Sequence, residues 1–443
     1  MRYLPHTQQE IQAMLQVTGA ASLDGLFSSV PADCLSPEGL DLPEPLTEWE
    51  LSDQVERLAA QNAIAPKHKI FLGAGSYHHH IPAVIPSLVS RGEFLTAYTP
   101  YQPEVSQGTL QAIYEYQTMT ARLLGMEVVN ASVYDGASAL AEALLMAIRV
   151  TKKKRVAISA AINPLYRQVV ATYLGYGGFE VQELPFGSDG LTQMDGLEKG
   201  GDLAAVALQS PNFFGCVEDL AQARQAADQA GCLLVATFSE ALAFGLLKNP
   251  GEQGADIVAG EGQSLGIPQS FGGPYLGIFA ARQKFLRNMP GRLVGQTVDR
   301  DGRRGFVITI STREQHIRRE RATSNICSNQ SLCALTAAMF LASLGGSGLR
   351  QLARLNYDKA HYLQTGLAEL GIETVFKAPF FNEFVVRIPE GLQGALADLE
   401  NDNLVLGLPL DGYYPQLEGC RLVCVTETKS KADLDAVLEG LRS

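Results

Sequence analysis

Between Lys154 and Ala236, short runs of continuously apolar residues alternate with stretches of helical length, and this constrains the fold more than any other feature of the chain. Val156-Ala157-Ile158-Ser159, Phe179 to Leu184, Leu203 to Leu208 and Leu233 to Ala236 read as strands, with helices expected at Leu165 to Leu174 and Leu220 to Ala230. Most of these runs do not alternate apolar with polar residues, as a half-exposed strand would. A strand covered on both faces reads as an unbroken apolar run, and strands that return in the same direction need crossovers about as long as a helix. The expected class is therefore α/β, with a mostly parallel central sheet covered by helices.

The flanks read differently. Pro31, Pro37, Pro43 and Pro45 confine the first part of the chain to short helices and loops. Thr7 and Glu10 have the spacing of a capping box, which starts a helix whose apolar face is Ile11, Met14 and Leu15, expected to be buried. Ser331 to Ser343 is a nearly apolar helix, stopped by Gly345-Gly346-Ser347-Gly348 and followed by a second helix from Leu349 to Leu370. Strands at Glu383 to Ile388 and Arg421 to Thr426 and a terminal helix from Lys431 to Leu441 complete a small α+β domain. A chain of 443 residues exceeds what one core usually holds. The expected division is a wrapping segment over 1–60, a large α/β domain over 61–335 and a small domain over 336–443.

Charge and composition remove several classes of function. The formal charge of −12 argues against a nucleic-acid or anionic-membrane surface, which would need a basic excess. No run of consecutive apolar residues reaches bilayer length, and a capped helix at the start does not resemble a signal peptide. Cys34, Cys216, Cys232, Cys327, Cys333, Cys420 and Cys424 are odd in number and irregularly spaced, which fits reduced, buried thiols in the cytosol. A cytoplasmic protein is expected.

Five segments could carry chemistry. In Tyr98-Thr99-Pro100-Tyr101-Gln102-Pro103-Glu104 two prolines would hold phenols and an amide in place, although an ordinary proline-rich loop reads the same way. Tyr134-Asp135-Gly136-Ala137-Ser138 opens a helix with small residues where an anion could reach free N–H groups; Asp and Gly also cap many helices that bind nothing. His78-His79-His80 invites a metal, but adjacent residues do not converge on one ion, so hydrogen-bonding loop histidines and no metal are expected. Thr312 to Ser328 is dense in arginine and ends in Thr323-Ser324-Asn325, suited to carboxylate or phosphate and equally to a solvated helix with Arg–Glu pairs. Ala255 to Pro274 is a strand end, a polar loop and a glycine-rich turn.

Taken together, Tyr98 to Glu104, Tyr134-Asp135-Gly136, Pro211-Asn212-Phe213-Phe214-Gly215 and Arg313 to Glu320 resemble the glycine cleavage P-protein family, whose fold is that of the large pyridoxal-phosphate aminotransferases, fold type I. The likeness runs from Tyr3 to Asp433, and the length resembles the separate alpha subunit of that family. The resemblance implies a decarboxylating enzyme built from two kinds of subunit, expected as alpha2beta2, in which a beta subunit (subunit 2) tethers pyridoxal phosphate. Glycine would lose carbon dioxide there, and its aminomethyl group would pass to the lipoyl arm of H-protein. In this chain the tethering lysine position falls on Gln263 or Ser264, and the aspartate expected under the cofactor's ring nitrogen falls near Thr237. Neither Gln263 nor Ser264 carries an amine, so no catalytic residue is expected in this chain and catalysis is expected from the partner. By the same resemblance Tyr98, Tyr101 and Gln102 would wall the partner's cofactor, Thr323, Ser324 and Asn325 would reach its phosphate, and Arg313 would favour the glycine carboxylate. Two competing readings remain: a self-sufficient pyridoxal-phosphate lyase or transferase using an unexpected lysine, and a purely structural or H-protein-docking subunit.

Overall fold

The computed structural model describes residues 5–36, 40–197, 201–310 and 315–442; Arg313 and Pro37 lie outside them. The chain divides into two compact units, one ending at Asn62 and one beginning at Ala63.

The second unit is built on a sheet of seven strands: β1 (Val128–Val129), β2 (Arg155–Ser159), β3 (Glu180–Leu184), β4 (Leu203–Gln209), β5 (Leu233–Phe238), β6 (Ile257–Glu261) and β7 (Gly277–Ala281). Their order is β1-β7-β6-β5-β4-β2-β3. β3, β2, β4, β5 and β6 run parallel, while β7 pairs antiparallel with both β6 and β1. Alternate residues of these strands enter different cores. Val156, Ile158, Ala205, Ala207, Val235, Ile257 and Ala259 pack on one face with helices α1 (Gly136–Thr151) and α2 (Pro164–Tyr176). Ala157, Val206, Leu208, Leu234, Ala236 and Val258 pack on the other face with helix α3 (Leu220–Ala230) and the first part of helix α4 (Ser331–Glu369). The unbroken apolar runs thus have the cause inferred from sequence, burial on both faces. β3 is the exception: it stands at the sheet edge, four of its five residues are not buried, and it carries Glu180, Gln182 and Glu183.

Gly345, at φ 60° and ψ 178°, interrupts α4 where the glycine-rich break was expected. By length and hydropathy α4 qualifies as a membrane span, but half of its most apolar window is buried inside the protein. The apolar segment before Gly345 spans only about 21 Å at 1.5 Å per residue, short of a bilayer core of about 30 Å. After Gly345 the helix covers a three-stranded antiparallel sheet in the order β8 (Glu383–Arg387), β10 (Cys420–Cys424), β9 (Leu408–Pro409), beside helix α5 (Lys431–Gly440). Lys69–Ile70 pairs in parallel with Leu404–Val405, and Phe71 enters the core of this layer.

In the first unit the helices Gln8–Thr18 and Glu48–Ala59 both begin with capping boxes, Thr7 with Glu10 and Thr47 with Glu50. No described residue of this unit is buried. The expectation that Ile11, Met14 and Leu15 form a buried face is therefore corrected: Met14 is exposed and the other two are half-buried. Capping satisfies the backbone at a helix start, but only tertiary packing covers a face. The uniform burial expected of the cysteines is corrected too. All seven are unpaired and five are buried, but Cys34 and Cys327 are exposed because they lie outside the packed layers.

Candidate functional site

In a parallel α/β sheet, ligands sit beyond the carboxyl ends of the strands. There, Ser76, Tyr134, Asp135, Asn163, Tyr166, Glu261 and Tyr275 line a cleft of about 410 Å³. Helix α1 points its first turn at this cleft. Gly136 is required at that turn, because a Cβ would lie 2.6 Å from the Tyr166 hydroxyl and 3.0 Å from Glu261. Two of the free N–H groups of the turn are already taken. Asp135 accepts from the Ser138 N–H at 2.7 Å and from its hydroxyl at 2.8 Å. Glu261, 1% exposed at the end of β6, accepts the Gly136 N–H at 2.9 Å through Oε2. Its Oε1 accepts three more N–H groups, from Gly262 at 2.9 Å, Gln263 at 3.1 Å and Leu276 at 2.9 Å. Burial pushes the Glu261 carboxyl up to about 8, against the pull of these backbone donors. The helix terminus that the sequence offers to an anion is therefore partly occupied by the chain's own carboxyl groups.

Gln263 follows immediately and is 1% exposed. Its Oε1 accepts the Tyr77 N–H at 2.9 Å, and its Nε2 donates to the Tyr77 carbonyl at 3.1 Å and the Ile267 carbonyl at 2.7 Å. Ser264 and Thr237 are as deeply buried, and neither hydroxyl has a hydrogen-bond partner among the described residues. Lys248 is exposed. These residues do not fit pyridoxal phosphate: among the described residues no amine lines the cleft, a threonine stands near where the ring-nitrogen aspartate is expected, and two carboxyl groups take N–H donors that a phosphate would need.

A second buried network adjoins the first. The Tyr77 hydroxyl donates to Glu383 Oε2 at 2.8 Å and lies 3.0 Å from the Ser239 hydroxyl, while Glu383 Oε1 accepts the Ala74 N–H at 2.6 Å. Burial raises the Glu383 carboxyl to about 7. His79 bridges two carboxylates, with Nε2 2.9 Å from Glu240 and Nδ1 2.7 Å from Glu427. Burial alone would lower its pKa; the two carboxylates reverse that and hold it at about 10. Among the described residues no His, Cys, Asp and Glu group has the arrangement of a metal site. Within the run, His79 is the buried tie between Glu240 at the sheet's end and Glu427 of the C-terminal layer, while His78 is half-buried and His80 exposed.

Of the segments singled out from sequence, those holding Tyr134-Asp135 and Glu261 line the cleft, whereas the residues assigned to the partner's pocket lie elsewhere. Tyr98 and Gln102 are exposed, and Tyr101 is half exposed. Ser324 donates to Glu142 Oε1 at 2.7 Å, Thr323 is half-buried and Asn325 is exposed. None of the six lines the cleft. What joins the two loops is Arg292, which the sequence reading missed. Its Nη2 donates to the Tyr101 hydroxyl at 3.0 Å and the Cys327 carbonyl at 2.9 Å, and its Nη1 donates to Asn329 Oδ1 at 3.0 Å. Nothing in Pro290-Gly291-Arg292-Leu293 signals this in sequence. Glu261 did leave a trace, as a lone carboxylate between glycines at the end of an apolar strand.

The model of the family described as "Glycine cleavage system P-protein" matches residues 1–441. The chain belongs to the glycine cleavage P-protein family. It is 57% identical over 443 residues, covering 100% of this chain and 98% of the relative, to "Probable glycine dehydrogenase (decarboxylating) subunit 1" of Desulfotalea psychrophila. It is 48% identical to the protein of that name in Geotalea daltonii, with both chains covered completely. A crystal structure of glycine decarboxylase (P-protein) of the glycine cleavage system, in inhibitor-bound form, superposes with a TM-score of 0.91 at 47% identity, covering 100% of this chain and 99% of that one. An alanine–glyoxylate aminotransferase from Nostoc, with a TM-score of 0.57 at 16% identity over 86% of this chain and 95% of that chain, shares the fold. The P-protein chain thus has the type I fold of pyridoxal-phosphate enzymes, and its relatives' names mark it as one subunit of a decarboxylating glycine dehydrogenase.

Proposed function

We propose that this chain is the non-tethering subunit of glycine decarboxylase and that a second subunit holds pyridoxal phosphate covalently. Decarboxylation of glycine and transfer of the aminomethyl group to lipoylated H-protein then belong to the assembled enzyme, an alpha2beta2 heteromer in the cytosol. This chain's part is to complete the partner's pocket from outside with Tyr98, Tyr101, Gln102 and Thr323 to Asn325; Arg313, beyond the described residues, is proposed for the glycine carboxylate. The observation that carries the reading is the lack of an amine at either candidate tether position: Gln263 is a neutral amide bonded on both sides to backbone, and Ser264 offers only a hydroxyl. The exposed Tyr98, Tyr101 and Val105 support an outward role for their loop. The uncovered apolar surface of the first unit, which includes Trp49, Leu51, Val55 and Leu58, supports a partner for that unit.

The test is co-expression with the candidate second subunit. Glycine-dependent carbon dioxide release is expected only when both chains are present. After borohydride reduction, cofactor mass is expected on the second subunit and none on this one. Cofactor trapped on this chain, or turnover by this chain alone, would overturn the proposal. Full turnover by the second subunit alone would leave this chain a docking role at most.

A further inference from the structure

We infer that Arg292 is a positioning residue, holding the two loops offered to the partner's pocket in one fixed relation; the inference rests on the functional reading above. Arg292 is 6% exposed, yet among the described residues no carboxylate pairs with it. Its guanidinium donates to three neutral oxygens from two separate segments. A buried cation without a counter-charge is costly and is kept only where its geometry is used. Here the geometry is a fork. One nitrogen reaches Asn329, the other reaches both Tyr101 and Cys327, and the guanidinium carbon lies 5.3 Å from the centre of the Tyr101 ring. A lysine ammonium cannot span those three acceptors and stack on the ring together.

The frame behind the fork is anchored on the sheet side. The Arg292 carbonyl accepts the Ala131 N–H at 2.8 Å, and Asn329 Nδ2 donates to the Ala131 carbonyl at 3.0 Å and lies 3.2 Å from the Ser132 hydroxyl. Upstream, the Cys327 N–H donates to the Tyr134 hydroxyl at 3.0 Å, and Ser324 is held by Glu142. The segment beginning at Thr323 and the loop around Tyr101 are thus referenced to one buried group and cannot shift independently by an ångström without breaking a bond of about 3 Å.

The experiment uses the assembled heteromer, comparing wild type, Arg292→Lys, Tyr101→Phe and the double variant by size-exclusion assembly and by kcat and KM for glycine-dependent carbon dioxide release. Arg292→Lys is expected to assemble normally and to lose about 10- to 100-fold in kcat with little change in KM, the scale of an ångström's misplacement. The double variant is expected within about twofold of Arg292→Lys, because both single changes break one contact. Tyr101→Phe and Tyr101→Leu stand at an exposed position and run the same test without touching the core: both should lower kcat and leave assembly intact. Multiplicative losses in the double variant, or wild-type kcat in Arg292→Lys beside an impaired Tyr101→Phe, overturn the inference while the functional reading stands. Wild-type turnover in every assembled variant overturns the proposed role of both loops, and the inference with it.

Discussion

Replacing His79 by glutamine removes a buried cation and leaves Glu240 and Glu427 facing each other with no positive charge between them. The rise of the His79 pKa from 6.5 to about 10 measures how strongly the fold prefers the imidazolium, about 5 kcal/mol at most. Loss of one partner from a buried pair costs about 3–5 kcal/mol by general experience, so about 4 kcal/mol is expected. Glu427, lowered from 4.5 to about 2 chiefly by its bond to His79 against burial, reports the same contact and adds nothing further. An unfolding entropy of about 2.1 cal/mol/K per residue, applied to 443 residues, converts this into a fall in Tm of about 4 °C. The pH dependence fixes the cause. A basic group whose pKa is raised on folding contributes fully below 6.5 and loses its contribution as pH climbs towards about 10. Calorimetry of wild type and His79→Gln should therefore give the full gap between about pH 4.5 and 6.5, closing as the scan buffer climbs towards about pH 10 and also as it falls towards about pH 2, where Glu427 takes up a proton. A gap under about 1 °C near neutrality, or one that widens as pH rises from 6.5 towards about 10, refutes the charge argument.

Other consequences can be measured directly. Gln263→Leu strands the Tyr77 N–H and carbonyl and the Ile267 carbonyl, at about 1–3 kcal/mol for each group left unmet, and should lower the denaturation midpoint more than any surface change. Gln263→Lys restores an amine but not a phosphate site, because Asp135 and Glu261 still hold the α1 terminus; borohydride reduction with pyridoxal phosphate followed by mass spectrometry should find no adduct at residue 263. In the isolated chain a thiol reagent should label Cys34 and Cys327 quickly and the other five cysteines only on unfolding. Assembly with the second subunit should then protect Cys327, whose carbonyl shares Arg292 with Tyr101.

The sequence by itself determined the sheet and the chemical deficit. Strands buried on both faces are filled by apolar runs, so β4 and β5 are legible without coordinates in Leu203 to Leu208 and Leu233 to Ala236, whereas β1 and the antiparallel β7 were not read from sequence. Gly345 interrupts α4 because a residue at φ 60° and ψ 178° is tolerated almost only as glycine, which is also a local property. The lack of an amine at 263 or 264 is a matter of residue identity alone. Only the tertiary structure decided what fills the space. Glu261 reaches the first turn of α1, 125 residues away in sequence, because β6 ends where that helix starts. Arg292 meets Tyr101 across 191 residues, and His79 meets Glu427 across 348. Spacing along a chain encodes contacts within a helix or strand, whereas a buried charge takes its partner from whichever segments the packed layers bring together.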